Sequence, residues 1–397
     1  MDKKTIVVAF GGVSPEHEVS VLTAMQAIDV LDRNLFRPLP LYIAKSGAWY
    51  TGDELMKLET YKHLDQAEEK GTPCTFSHDH LGRAVLRELN GGFLRRAVSH
   101  PVDVILPAFH GSEGENGSFQ GLCETFNIPY AGSGVLASSV GMDKVTAKAL
   151  CRAHGIPVVA DTSFREIDWE NESEEIMSRI HKLGYPVAVK PVHLGSSIGV
   201  GIADTPDQLV PAIEDAFRYD EELLVEKAIR PLTEINCSVI GIGSEARASV
   251  CEKPLGKEKH LSFTDKYLNE EGESKGMASA DREIPADIPD ELAEKIRSIS
   301  LQVFEVFRAS GVARLDFLIN SETEELFFNE INTIPGSFSF YLWKESGTSF
   351  GELLTELVDL AMERHTKKNR RVRSYETNLL SQKAVKGLKG LKSSDKK

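Results

Sequence analysis

At 397 residues, 41% of them hydrophobic, the chain is too long for one typical core and carries enough apolar content to fill two or three. Its net charge of −14 hides an asymmetry: Thr366–Lys397 holds eleven Lys/Arg against two acids, a surplus of +9 that leaves −23 on residues 1–365 and argues against nucleic-acid binding by the main body. No run of about 18 apolar residues is present to span a membrane, and five scattered cysteines without CxxC spacing point to reduced thiols rather than a disulfide framework or a zinc knuckle.

The opening TIVVAF reads as a buried parallel strand rather than a cleavable signal segment, so a cytoplasmic location is expected. Gly11-Gly12 then gives a turn, and Ser14-Pro15-Glu16 reads as an N-cap Ser with Pro at the first helical position. LPLYIA is a second strand. Residues 46–100 mix helix-like and turn-like pieces and are longer than a minimal domain of this kind requires, and VDVILPAF is another buried strand, ending in HGSEGENG. The alternation predicts an α/β domain with a parallel sheet over residues 1–131, its polar and glycine groups lying just past the strand ends, where open α/β sheets bind ligands. His110 sits in that Gly-rich loop with Glu115 as an orienting partner, although a histidine after a buried strand is more often a packing or capping residue.

Residues 132–225 read as a second unit: a helix over MDKVTAKALCRAHG with a Gly C-cap, the strand PVAVKPV, the loop HLGSSIG, the strand VGIA, a helix, and the apolar strand LLVEKAI. Lys190 ends a strand, and Gly195-Ser196-Ser197-Ile198-Gly199 follows. Backbone N–H groups, two hydroxyls and an ammonium can therefore surround phosphate oxygens. The spacing is not that of a P-loop and is weak by itself. It gains weight from Glu226 and Lys227, which end LLVEKAI as a hinge between units, where backbone and carboxylate can read adenine and ribose edges.

The third unit, 226–365, has strands at INCSVIGIG and ARASVCEKP, a polar loop over 262–280, a helix over PDELAEKIRSISLQVFEVFRASG, and the segment GVARLDFLINSETEELFFNEINTIPG. Side chains alternate along a strand, so Arg314 and Asp316 share one face of the first run, and Glu330 and Asn332 share one face of the second. A hairpin centred on Thr323 sets Asp316 opposite Glu330 and Arg314 opposite Asn332, an oxygen cluster suited to a hard divalent ion such as Mg²⁺ beside a guanidinium. Without a cation, two carboxylates converging beside Leu326, Phe327 and Phe328 would repel. Residues 366–397 read as a solvated basic tail.

MDK at 142–144, KPVHLGSSIG at 190–199, VEK at 225–227, RLD at 314–316 and NEINTIPG at 329–336 resemble, in sequence and order, the D-alanine–D-alanine ligases of the ATP-grasp superfamily. GGVSPEHEVS near the start and FHGSEGENGSFQG at 109–121 resemble the amino-terminal domain of the same family. The resemblance implies an α/β fold, α+β in part: a three-domain ATP-grasp fold with a Rossmann-like parallel-sheet first domain that binds substrate, followed by central and C-terminal ATP-grasp subdomains. It implies ATP between the second and third domains, with Lys144, Lys190, Ser196 and Ser197 at the phosphates, Glu226, Lys227 and Ile229 at the adenine, and Glu234 at the ribose. Asp316, Glu330 and Asn332 would hold two Mg²⁺ ions, or Mn²⁺, and Arg314 with the Gly336 amide would stabilise charge at the reacting centre. Glu16 would take the ammonium of the first D-alanine, with His110 near that subsite. The mobile loop of the family falls on 262–280, where Lys266 and Tyr267 would close onto Ser196 and Glu16 and exclude water.

One departure stands out: where the family usually has a serine that grips the carboxylate of the second substrate, SFSFYLW places Tyr341, with Ser337 or Ser339 as substitutes. The expected activity is the ATP-dependent joining of two D-alanines through a D-alanyl phosphate. The alternatives are a ligase taking D-serine, D-lactate or another amino acid second, and a non-catalytic ATP-binding regulatory protein, against which the intact Lys144, Lys190, Arg314, Asp316 and Glu330 argue. D-alanine and ATP are the expected partners, with no nucleic acid and no membrane span, and the enzyme is expected to be a homodimer.

Overall fold

The structure, a computed structural model, describes residues 3–89, 98–255 and 282–374. The predicted lid with Lys266 and Tyr267, and the basic tail beyond Ser374, lie outside the described residues. The chain divides into a compact body, Met1–Met362, and a C-terminal segment, Glu363–Lys397. No described helix is long and apolar enough to cross a membrane, and all five cysteines are buried and unbridged.

The first sheet is built from β1 (Lys4–Gly11), β2 (Phe36–Ile43), β3 (Trp49–Thr51), β4 (Thr72–His78), β5 (Ala84–Glu88), β6 (Ser99–Pro101) and β7 (Val104–Pro107), with helices α1 (His17–Val30), α2 (Leu64–Lys70), α3 (Ser112–Glu115) and α4 (Ser118–Thr125). β1 pairs in parallel with β2 and β7. Apolar runs fit this position because both faces are covered: Ile6, Val8 and Phe10 join one core and Val7 and Ala9 another. The expectation of a parallel sheet holds for these three strands only. β3, β4, β5 and β6 extend the sheet antiparallel, in the order β6-β5-β4-β3-β2-β1-β7, and the short β2–β3 and β4–β5 links could not make the long crossover that parallel pairing needs. The helix start differs too. Ser14 does not cap α1; its Oγ accepts from the Glu16 N–H at 3.1 Å and donates to the His110 carbonyl at 2.8 Å, so Pro15 and Glu16 form a turn and the helix begins at His17.

The second sheet follows α5 (Val135–Met142) and α6 (Lys144–Ala153) and contains β8 (Asp161–Arg165), β9 (Val187–Pro191), β10 (Gly201–Ala203) and β11 (Glu222–Lys227), backed by α7 (Glu166–Leu183) and α8 (Pro206–Ala216). Its order is β10-β9-β11-β8, all antiparallel. The helix predicted from Met142 begins at Lys144 instead: Met142 ends α5, and the Asp143 carboxylate accepts from the Thr146 N–H at 2.8 Å and caps α6.

The third sheet, β14-β13-β12-β15-β16, is also antiparallel. It contains β12 (Leu232–Ile242), β13 (Arg247–Pro254), β14 (Arg282–Glu283), β15 (Ser310–Asn320) and β16 (Leu326–Asn332), with α9 (Asp290–Val306), α10 (Phe340–Glu345) and α11 (Phe350–Asn369). Alternation sorts the two faces: Ile235, Cys237, Leu315, Phe317 and Phe328 pack with Ile296, Val303 and Phe304 of α9, leaving Glu234, Asn236, Arg314 and Asp316 for the opposite face.

The chain leaving the first sheet docks directly on β15. Ser310 Oγ donates to the Gly132 carbonyl at 3.0 Å, and a Cβ on Gly311, at φ +73°, would lie 2.6 Å from the Gly132 Cα. Backbone meets backbone there, which only glycine allows. Gly311→Ala is therefore expected to lower the unfolding free energy in urea by about 2 kcal/mol or more, from left-handed strain plus the clash.

Candidate active site

Two adjoining clefts open between the sheets. The larger, about 900 Å³, is walled by Ala188, Lys190 and Glu226 of the second sheet and by Leu232, Glu234, Asn236, Asp316 and Glu330 of the third, and it also takes in Ser197, Lys227 and Ile229. The smaller, about 620 Å³, is lined by Glu16, His110, Glu115, Ser196, Arg314, Asn332 and Gly336, and shares Lys144, Leu194, Gly195 and Glu330 with the first. Strand alternation on β12, β15 and β16 supplies most of one wall.

The hairpin register is the predicted one near the site: Arg314 pairs with Asn332 and Asp316 with Glu330. The register then shifts, Phe317 pairing with Phe328, so Asn329 is an extra residue in β16. This bulge lets the consecutive polar residues Asn329 and Glu330 both line the cleft. Asn329 was not anticipated; the signal was present in FFNEIN, where two polar residues in a row break the alternation. Arg314 donates from Nε and Nη2 to the two Asp316 oxygens, both at 2.7 Å, and the Asn332 amide nitrogen donates to Asp316 Oδ2 at 3.1 Å. Among the described residues no three His, Cys, Asp or Glu converge as a metal cage. Two carboxylates and an amide oxygen remain a fitting partial set for a hard cation whose other ligands are phosphate and water.

The lysines are held by neighbouring acceptors. Lys144 donates to the Leu194 carbonyl at 2.5 Å, tying α6 to the Gly-Ser loop, and burial lowers its pKa. Lys190 lies 2.5 Å from Glu226 Oε1 and 3.2 Å from Asn329 Oδ1; burial lowers its pKa, but the charge and hydrogen bond of Glu226 together with the charges of Glu330 and Glu234 raise it overall. Burial pushes Glu226 up, but Lys190 and Lys148 together bring it down to about 2. The Lys227 ammonium is turned away onto the carbonyls of Gly184 and Tyr185, at 3.1 and 2.7 Å, although the residue lines the larger cleft.

In the smaller cleft, Ser196 Oγ donates to Glu16 Oε1. Ser196 and Ser197 both have positive φ, 51° and 58°, a conformation that turns the loop back over the cleft. His110 is neutral: burial and the Arg314 charge push its pKa down to about 4 despite a hydrogen bond with the Ile334 backbone, and its Nε2 lies 2.9 Å from Thr23 Oγ1. Thr23 also accepts from the Ser337 N–H at 3.2 Å, so α1 fixes both His110 and the turn after Gly336. Ser337, Phe338 and Ser339 in that turn are all left-handed, with φ of 51°, 53° and 53°. Three consecutive non-glycine residues in that region store strain beside the cleft.

Two residues named for the second substrate sit elsewhere. Tyr341 lies in neither cleft lining; its hydroxyl is 3.3 Å from Glu252 and the Arg282 guanidinium stacks on its ring at 3.8 Å, because α10 turns it onto β13 and β14. Ser337 Oγ donates to Gln26 Oε1 at 2.6 Å, held there by the left-handed turn. Ser339 keeps a buried hydroxyl with no hydrogen-bond partner among the described residues.

The comparisons with known proteins agree on one assignment. Residues 5–133 match the family model for the D-ala D-ala ligase N-terminus, and residues 150–359 match that for the D-ala D-ala ligase C-terminus. The chain belongs to the D-alanine–D-alanine ligase family. It is 37% identical over 382 residues to the D-alanine–D-alanine ligase of Thermosipho melanesiensis, covering 96% of this chain and 99% of that protein, and 36% identical over 381 residues to that of Listeria monocytogenes, covering 92% and 98%. Among solved structures it resembles the D-alanine–D-alanine ligase from Coxiella burnetii, with TM-score 0.77 and 29% identity over 93% of this chain and 97% of that one. It is also similar to the VanG D-Ala:D-Ser ligase from Enterococcus faecalis, with TM-score 0.75 and 29% identity over 91% of this chain and 100% of that one.

Glu115 gives a pH test of this ligase-family site. Burial, then the neighbouring Glu16 charge, raises its pKa from the usual 4.5 to about 8, while the Gly111 N–H, donating at 3.0 Å, pulls the other way. The folded state therefore keeps a proton that the unfolded chain releases, so stability falls as pH rises from about 4.5 toward 8. Glu115→Gln should remove that fall: urea unfolding without nucleotide should show the variant gaining on the wild type by on the order of 2 kcal/mol from pH 5 to pH 8.

Proposed function

We propose that the protein is an ATP-dependent D-alanine–D-alanine ligase that supplies the dipeptide for peptidoglycan precursors, organised as domains over 1–131, 132–225 and 226–365. The observation that carries the reading is the pair of clefts joined at Lys144 and Glu330, one lined by Lys190, Glu226, Glu234 and Asp316 and the other by Glu16 and Arg314. ATP occupies the larger, with Lys144, Lys190, Ser196 and Ser197 at its phosphates, the 226–229 backbone at its adenine and Glu234 at its ribose. The first D-alanine occupies the smaller, its ammonium on Glu16 and its carboxylate toward the γ-phosphate.

That carboxylate attacks the γ-phosphorus, ADP leaves, and the amine of a second D-alanine then displaces phosphate from the acyl phosphate. Arg314 and the Gly336 amide stabilise the negative charge of the tetrahedral centre. Asp316, Glu330 and Asn332 would hold magnesium, or manganese, which when bound offsets charge on the β- and γ-phosphates. The Ser196–Glu16 hydrogen bond ties the Gly-Ser loop to the turn before α1. Ser339 is fully buried and, like Tyr341 and Ser337, lines neither cleft, so the carboxylate of the second substrate is left to the groups that do line the smaller one. The enzyme is taken to be a cytoplasmic homodimer.

The likeness to VanG keeps D-serine in view as a second substrate. ATP-dependent phosphate release with D-alanine, D-serine and D-lactate, singly and in pairs, separates the readings: D-alanine alone should support full turnover, and inactivity with D-alanine alone would remove the reading. Glu330→Gln should lower kcat by a factor on the order of 100 or more with circular dichroism unchanged; near-normal turnover would remove the metal assignment.

A further inference from the structure

Lys148 is a buried cation with no part in the site described above. It lies one turn beyond Lys144 on α6, its side chain 3% exposed, with its ammonium 2.5 Å from Glu226 Oε2 and 2.9 Å from Asp161 Oδ2. Glu226 and Asp161 face each other directly across β11 and β8, where two carboxylates repel unless a cation lies between them. The second Glu226 oxygen holds Lys190 at 2.5 Å, and Asp161 also binds Arg152. Charge therefore alternates from the cleft outward: Lys190, Glu226, Lys148, Asp161, Arg152.

This arrangement bears on Lys190. In a buried, low-dielectric setting an ammonium facing a carboxylate of its own is held tightly, whereas a carboxylate already matched by a second cation holds it less. Lys190 also lines the larger cleft, while Lys148 does not. We propose that Lys148 is a positioning residue for nucleotide binding: by sharing the Glu226 charge it lets Lys190 exchange that carboxylate for nucleotide phosphates. The proposal rests on the assignment of the larger cleft to ATP and adds a role for a residue outside it. Lys148 acts through Glu226 and touches no ligand.

The test compares calorimetric affinities for ADP with magnesium and for adenosine, which lacks the phosphates Lys190 would meet. Lys148→Met should weaken ADP about tenfold, the equivalent of ~1.4 kcal/mol, and leave adenosine within about twofold, since the base and ribose contacts do not involve Lys190. Lys148→Arg should restore ADP binding. The double variant Lys148→Met/Glu226→Gln should bind ADP more tightly than Lys148→Met alone, because Lys190 no longer has a carboxylate to itself. Wild-type ADP affinity in Lys148→Met, equal losses for ADP and adenosine, or a double variant no tighter than the single would each overturn the proposal. If Lys148→Met does not fold, Lys148→Met/Asp161→Asn removes a carboxylate with the lysine and carries the same comparison. Lys190→Met is the control for the site itself: unchanged ADP binding there would count against the assignment of the cleft rather than against Lys148.

Discussion

Antiparallel pairing of β15 with β16 is the constraint on which the site depends. A strand shows alternate residues to opposite sides, so one register decides at once which side chains enter the α9 core and which face the cleft. A one-residue slip would bury Asp316 and Glu330 against Phe304 and expose Phe317 and Phe328, an exchange too costly to compete. The bulge at Asn329 is the one relaxation of that rule. It adds a polar group next to Lys190 without disturbing Phe328 or Ile331 in the core.

Charge balance follows from the same geometry. The body of the chain is strongly acidic, yet its clefts collect Lys144, Lys190 and Arg314, each with its own acceptors: the Leu194 carbonyl, Glu226 and Asp316. Lys144 and Arg314, paired in this way, hold their positions with little reorganisation when an anionic ligand arrives, as electrostatic catalysis requires, whereas Lys190 shares its carboxylate with Lys148. Removing one partner would strand its neighbour, so the paired groups form a coupled set rather than independent contacts.

The smaller cleft is held from the side by α1. Through Thr23 the helix fixes His110, and through Thr23 and Gln26 it fixes the left-handed turn after Gly336. The turn is strained, and Phe338 in the core shared with Ile6, Val8 and Leu353 keeps it in place. The first sheet, far away in sequence, thus shapes the end of the cleft where the Gly336 amide lies.

Much of this was legible in the residues. Alternation and turn composition determined the β15–β16 pairing at Arg314–Asn332 and Asp316–Glu330, the parallel core around β1, and the motifs that mark the family, because these depend on spacing along the chain alone. The antiparallel extension by β3–β6 and the start of α1 at His17 were decided by tertiary contacts: a strand takes its direction from its neighbour, and Ser14 is drawn to the His110 carbonyl instead of capping the helix. Tyr341 and Ser337 show the limit most plainly, since alignment gave them a place in the motif while packing against Glu252, Arg282 and Gln26 set where their hydroxyls go. Lys148, ordinary on a helical sequence, acquires its meaning only when folding sets Glu226 beside Asp161, because electrostatic pairing depends on distance in space and not on separation along the chain.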